Sequence, residues 1–272
     1  MRNPEIRHIS SNPNLTGLAE VTPDIVYSTA AGVDVKLALL LPWGAVERGD
    51  RLPLVVFVQG SAWTFPNIGY EIPQLSRYAQ EGYAVATLTH RNCLEGHPFP
   101  AYLKDVKTAI RFLRANAEEY AIDRERVCIF GTSSGGNTAL LVALTGDDPA
   151  FRTDEYAGES DKVQLMIECF GPTDLAAMVS AGAGQDESFA EIFRGLGGSR
   201  PLPEVLHEMS PVNRVAAGAK YPPMLLIHGD ADELVPYDQM TKMYRVLLES
   251  GADARAICVD GEEGIQVRAI VD

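Results

Sequence analysis

The stretch Gly131-Thr132-Ser133-Ser134-Gly135-Gly136 sets one serine between two glycines at Gly-x-Ser-x-Gly spacing. Apolar Val127-Cys128-Ile129-Phe130 precedes it, and Asn137-Thr138-Ala139-Leu140-Leu141-Val142-Ala143-Leu144 follows. The first run predicts a buried strand and the second a helix. Strand, Gly-x-Ser-x-Gly and helix form the setting of a nucleophile elbow. Such a turn leaves no room for side chains beside the serine, which accounts for Gly131 and Gly135. It lifts the Ser133 hydroxyl off the sheet and aims backbone N–H groups of the new helix at an oxyanion. The chemistry this predicts is acyl transfer to a serine oxygen. A plain glycine-rich turn is the competing reading, and the strand and helix on either side weigh against it.

A serine hydroxyl needs a base, usually a histidine oriented by a carboxylate. Carboxylates follow the apolar run Met224-Leu225-Leu226-Ile227, in His228-Gly229-Asp230-Ala231-Asp232-Glu233-Leu234-Val235-Pro236. Asp230 reads as a residue that caps its own turn. His228 reads as a structural residue at a strand end.

These groups need elements to hold them. Ile25–Tyr27 and Val33–Leu41 around Ala30-Ala31-Gly32 predict a hairpin. Leu52–Val58 predicts a buried strand leading into Gln59-Gly60-Ser61-Ala62-Trp63, and further strands are expected at Ala84–Leu88, Val163–Phe170, Met224–Ile227 and Ala256–Val259. Between them lie helical patterns: Ile72–Glu81 closed by Gly82, Leu103 to Ala117 with apolar residues three and four apart, and Gln239–Glu249 closed by Gly251. Continuous apolar strands alternating with helices mean a mostly parallel sheet covered on both faces. Residues 176–220 break the rhythm and read as a small cap-like insertion. In such sheets the ligand site lies at the C-terminal ends of the strands. Ser133, the Gln59–Trp63 turn and the His228–Pro236 loop all fall at such ends.

With these residues in place the chain resembles the α/β-hydrolase superfamily. The likeness is strongest to its carboxylesterase, acetyl-xylan-esterase and feruloyl-esterase-like branch, near the hormone-sensitive-lipase type. It is carried by His90-Arg91-Asn92, Pro98-Phe99-Pro100-Ala101-Tyr102, Asp105-Val106-Lys107, Ile110-Arg111-Phe112-Leu113-Arg114, Phe170-Gly171-Pro172-Thr173-Asp174-Leu175 and the loop after residue 227. The resemblance implies one three-layer α/β-hydrolase domain over residues 1–272. It also implies a serine carboxylesterase working through an acyl-enzyme on short-chain acyl or aryl esters of acetyl or feruloyl type. Its His-Gly-x-x-Asp-x-x-Val-Pro pattern selects Asp232 as the acid, with Asp174 as another position used for that role. Relatives carry His-Gly-Gly-Gly-Trp where this chain has Gln59-Gly60-Ser61-Ala62-Trp63, so the implied oxyanion donors are the N–H groups of Ser61, Ala62 and Ser134. Trp63 is either a packing residue or a wall of the acyl pocket.

In relatives the catalytic histidine follows the last strand and a final helix covers the sheet. Here no histidine follows His228, and the last strand runs on only as residues 260–272. Three expectations compete. The end is a truncated or frame-shifted form of an ordinary esterase; or His90 or His97 acts as the base; or the protein is a catalytically silent binding module. A peptidase of prolyl-oligopeptidase type is the alternative enzyme, although those usually carry a large extra domain.

Composition sets the outer limits. The chain has 272 residues, 46% of them hydrophobic and 22% charged, which suits a globule with a sizeable core. Its net charge of −14 repels nucleic acid and anionic membranes alike. No apolar run reaches the ~20 residues that span a bilayer. The N-terminal residues lack the apolar core of a secretory signal. Cys93, Cys128, Cys169 and Cys258 form neither a metal-ligand spacing nor a disulfide framework. A cytoplasmic protein without metal or organic cofactor is expected, with a small-molecule ester as its partner. Homo-oligomer formation stays open.

Overall fold

Eight strands hydrogen-bond into one sheet, and the helices between them return the chain to the end from which each strand starts. The computed structural model describes residues 10–11, 15, 17–29, 31–183 and 187–261. Residues 262–272, on which the expectations for the C-terminus bear, lie outside that set.

The strands are β1 (Ala19–Ser28), β2 (Val35–Pro42), β3 (Leu52–Val58), β4 (Ala84–Leu88), β5 (Ile122–Thr132), β6 (Leu165–Cys169), β7 (Met224–Gly229) and β8 (Ala254–Val259). Their order across the sheet is β1-β2-β4-β3-β5-β6-β7-β8. Strands β3 to β8 are parallel, while β2 runs against β4 and β1 against β2. This is the mostly parallel α/β sheet that the sequence predicts. Two strands run longer than their apolar pattern. In β1 the alternation breaks at Pro23-Asp24, where Asp24 has a φ of 58° and the register with β2 shifts between Thr22 and Ile25. In β5 the charged residues Asp123 to Arg126 intervene between the paired Ile122 and Val127, and hydropathy cannot announce a strand there.

The helices are α1 (Ala45–Arg48), α2 (Ile72–Gln80), α3 (Ala101–Ala115), α4 (Ser134–Leu144), α5 (Leu175–Met178), α6 (Glu187–Gly197), α7 (Leu202–Met209) and α8 (Asp238–Ser250). Leu75 and Ala79 of α2 cover Phe57, Val85, Phe130 and Ile227 on one face of the sheet. Helices α3 to α8 pack over the other face, against Val56, Ile129, Met166 and Leu226 among others. Helix α4 is buried from Ser134 to Ala143. A helix apolar on all sides must be enclosed, and that enclosure fixes the start of α4 under the sheet's C-terminal edge.

The stretch expected as an insertion holds α5, an irregular helical turn at Val179–Ala183, α6 and α7. Helix α6 docks on the loop after β4: Phe99 N–H donates to Leu196 O at 3.0 Å. A Cβ on Gly195 would lie 2.8 Å from Cys93 O, so only glycine lets the helix come this close. These helices therefore rest on the same edge of the sheet as Ser133.

Candidate active site

Strand β5 enters α4 through Ser133, whose φ of 52° and ψ of −125° place it in a region that side chains rarely adopt. Such a conformation costs about 1–3 kcal/mol and persists only where its surroundings enforce it. Here they do. Ser133 N–H donates to Cys169 O on β6 at 2.9 Å, and Asn137 N–H donates to Ser133 O at 3.1 Å. A Cβ on Gly131 would sit 2.1 Å from Gly135 O, and one on Gly135 would sit 2.0 Å from Val58 O. Gly60 is equally constrained, with a Cβ placed 2.8 Å from that of Ser133. The glycines let strand, helix and neighbouring loop meet at one point.

The loop after β3 turns through Ala62 and Trp63, with φ values of 51° and 57°. Gly60 N–H donates to Thr132 Oγ1 at 3.1 Å, and Ser61 O accepts from both Thr64 N–H and Thr64 Oγ1. Among the described residues, the N–H groups of Ala62 and Ser134 donate to no protein acceptor, as an oxyanion site requires. Ser61 departs from its expected place. Its N–H is turned onto Ser134 Oγ at 2.9 Å and not toward open space. Sequence reasoning assigned Ser134 only a backbone role and missed this hydroxyl.

Asp232 lies in the loop after β7 and is buried. Its Oδ1 accepts from Leu234 N–H and Val235 N–H, both at 2.9 Å, which fixes the carboxylate plane. His228 Nε2–H donates to Val235 O at 2.7 Å, with Asp232 Oδ2 3.6 Å away. Burial holds the His228 imidazole below its ordinary pKa, so it stays neutral and braces the loop. Asp230 Oδ1 accepts from Gly261 N–H at 2.6 Å, so it ties its loop to the chain after β8, whereas the sequence predicts a cap on its own turn. Asp174 caps α5 through Ala177 N–H on Oδ1 and pairs with Lys242 through Oδ2.

The two histidines considered as substitute bases both sit in the loop after β4. His90 is 2% exposed, with Nδ1 3.0 Å from Arg91 O and Nε2 3.5 Å from Ser61 Oγ. His97 is half-buried in the loop that carries Pro98. Among the described residues no histidine lines the cavity beside Ser133.

That cavity holds about 460 Å³, with Ser133, Ser134 and Ala62 on one side and Leu234, Phe189 and Phe193 on the other. Trp63 both lines it and packs on Tyr102, with ring centroids 6.2 Å apart, so the two readings of this residue coexist. On α6, Phe193 both reaches the cavity and joins the core, while Ile192 and Leu196 pack into the core alone. Phe189, one turn earlier, joins Phe193 there at 6.5 Å between centroids. A larger depression of about 860 Å³ around Trp43 and Gly82 lies at the opposite end of the sheet and contains no nucleophile. The side chains of Asp230, Cys258 and Asp260 bring candidate ligand atoms within 4.8 Å of one another, but all three are exposed. No helix among the described residues is long and apolar enough to cross a membrane.

Sheet order, elbow and acid-bearing loop together define an α/β-hydrolase of the carboxylesterase branch, and the comparisons agree. The BD-FAE family model matches residues 43–247, and the chain belongs to that family. Esterase LipC of Mycobacterium tuberculosis (strain ATCC 25618 / H37Rv) is 31% identical over 193 residues, 69% of this chain and 46% of LipC. Esterase LipQ of the same organism is 28% identical over 75% of this chain and 48% of its own length. The chain thus spans about half the length of the curated relatives it matches. Among solved structures, a truncated form of a carbohydrate esterase from gut microbiota superposes with a TM-score of 0.77 at 27% identity, covering 92% of this chain and 91% of that one. The propionate-bound esterase Est2 of Thermogutta terrifontis has a TM-score of 0.70 at 24% identity, covering 92% of this chain and 85% of that one, a likeness of fold.

Proposed function

We propose that this chain is a serine carboxylesterase unit that cleaves short-chain acyl or aryl esters, of acetyl or feruloyl type, through an acyl-enzyme. The observation that carries this reading is the strained Ser133 at the wall of an apolar cavity, between the uncommitted N–H groups of Ala62 and Ser134. In this reading Ser133 Oγ attacks the ester carbonyl, the carbonyl oxygen becomes an oxyanion, and the two N–H groups receive it. Asp232, its plane fixed by Leu234 and Val235, orients the base. The apolar walls take the acyl group, and α6 with its flanking turns acts as a cap.

A second reading, the binding module, has a specific observation in its favour. Among the described residues, no imidazole hydrogen-bonds Ser133 Oγ or lines the cavity beside it. Loss of the base costs a serine hydrolase on the order of a millionfold in turnover. The oxyanion hole and binding still leave ~10³–10⁴ over water. The test is p-nitrophenyl acetate hydrolysis by wild type and Ser133→Ala, with fluorophosphonate labelling alongside. Turnover and labelling that vanish in the variant support the esterase. Equal trace rates and an unlabelled serine leave the binding module.

A further inference from the structure

Ser61 and Ser134 meet in an arrangement that the esterase reading does not require. Ser61 N–H fills one lone pair of Ser134 Oγ at 2.9 Å. Among the described residues, the Ser134 hydroxyl proton finds no acceptor of its own. The residue is only 3% exposed, so bulk water does little for that proton, yet it lines the cavity beside Ser133. A buried O–H without an acceptor is costly unless something brings one.

Resting on the esterase reading, we propose that the Ser134 hydroxyl is a direct donor to the oxyanion. It accepts from Ser61 N–H and passes its own proton's hydrogen bond to the substrate's carbonyl oxygen. Ser61, aligned with a glycine that would donate directly in relatives, then acts through this hydroxyl. A hydroxyl whose oxygen already accepts a hydrogen bond is polarised into a stronger donor.

The rest of the network holds the relay in position. Ser61 O is tied to Thr64 at both the backbone and the hydroxyl. His90 Nδ1 meets Arg91 O, which assigns the proton to Nδ1 and leaves Nε2 as an acceptor 3.5 Å from Ser61 Oγ, whose proton also has Thr64 O at 3.4 Å. Arg91 is in turn clamped by Asp105, with contacts from 2.7 to 3.0 Å. The donor is thus preorganised, the condition under which an oxyanion site lowers a barrier. His90, considered as a base from sequence, becomes a positioning residue for this loop.

The competing account makes Ser134 Oγ a latch that only holds Ser61. Kinetics of Ser134→Ala and Ser134→Thr on p-nitrophenyl acetate separate the two, with phenylboronic acid affinity as a measure of tetrahedral adducts. As a donor, the hydroxyl's loss should lower kcat by about 100-fold, the effect of removing one oxyanion contact. KM should stay within about twofold, boronate affinity should fall with kcat, and threonine should restore most of both. Alanine with unchanged or raised kcat would overturn the proposal, since the freed Ser61 N–H would then suffice. A kcat loss without a loss of boronate affinity would also overturn it. So would equal impairment by both substitutions with a lowered melting temperature, which marks a latch. Wild type no faster than Ser133→Ala would instead remove the esterase reading, and the donor role with it.

Discussion

Gly135 shows how a single residue type constrains the whole site. A methyl group there would lie 2.0 Å from Val58 O, a backbone atom at the C-terminal end of the central strand β3 that has nowhere to go. Overpacking usually costs about 1–3 kcal/mol, and a clash with backbone lies at or above the top of that range. Gly135→Ala should therefore lose several degrees of melting temperature at ~2–4 °C per kcal/mol. A variant melting like wild type would mean that the elbow is looser than these contacts imply. Asp232 allows a sharper separation, because on the esterase reading bracing the loop and orienting a base would fall to different atoms. Asp232→Asn keeps an oxygen for Leu234 and Val235 N–H, so stability should hold. Turnover should still fall by about 10⁴, the effect known for mis-orienting a catalytic base. Asp232→Ala strips both N–H groups of their acceptor, at about 1–3 kcal/mol for the buried one of Val235. Thermal melts and kcat measured together check this, and an alanine variant as stable as the asparagine one would refute the loop-bracing role.

At the scale of elements, much of the fold was legible because apolar runs and glycine stops record strands and helix ends directly. Strand β4 at Ala84–Leu88 and helix α2, closed by Gly82, fall where the pattern puts them. What the pattern hides is polar burial. Lys107 and Arg111 on α3 look like a solvated face, yet both are fully buried around Asp161, at 2.7 and 3.0 Å. Glu168 is hidden in the same way within the run that becomes β6. Its Oε2 accepts Gly171 N–H at 2.8 Å, while Oε1 is buried without a partner among the described residues. Burial raises its pKa from 4.5 to about 8, with the Gly171 bond pulling the other way. The neighbouring Cys169 remains a thiol, because burial and the Glu168 charge both raise its pKa. Folded protein therefore holds a proton on Glu168 that unfolded chain has already released. The stabilising effect of that difference is complete below pH ~4.5 and drains away as pH rises through about 8. The span corresponds to about 5 kcal/mol as an order of magnitude. Glu168→Gln, neutral at every pH, should match wild type near pH 5 and exceed it by several kcal/mol at pH 8.5. Denaturant melts at the two pH values decide it, and parallel curves for both proteins would show that the carboxyl ionises freely.

For the molecule as a whole, the sequence placed the site by convergence: three loops at the C-terminal edge of a parallel sheet. It did not resolve which side of α6 faces Ser133, since helical spacing alone fits a core as well as a cap. Phe189 and Phe193 line the cavity as well as touching the hydrophobic core, whereas Ile192 and Leu196 meet the core alone, and docking on the Cys93–Phe99 loop sets that rotation. This division predicts how acyl preference can be altered without unfolding the protein. Phe193 is buried, and its truncation would cost about 3–5 kcal/mol, confusing stability with specificity. Phe189 is only half-buried, so Phe189→Ala should widen the cavity at a smaller cost. If the cavity takes the acyl group as proposed, the wall Phe189 forms limits acyl length, because each methylene added beyond the available space must find room against that ring. Each methylene that gains a contact is worth up to about 0.8 kcal/mol of burial, or roughly fourfold in kcat/KM. The variant should therefore shift the ratio of p-nitrophenyl octanoate to acetate hydrolysis upward by about tenfold or more, with acetate itself little changed. Ile192→Ala, which leaves the cavity wall intact, should not move that ratio. An equal shift in both variants, or in neither, would mean that α6 supports the sheet edge without bounding the acyl group.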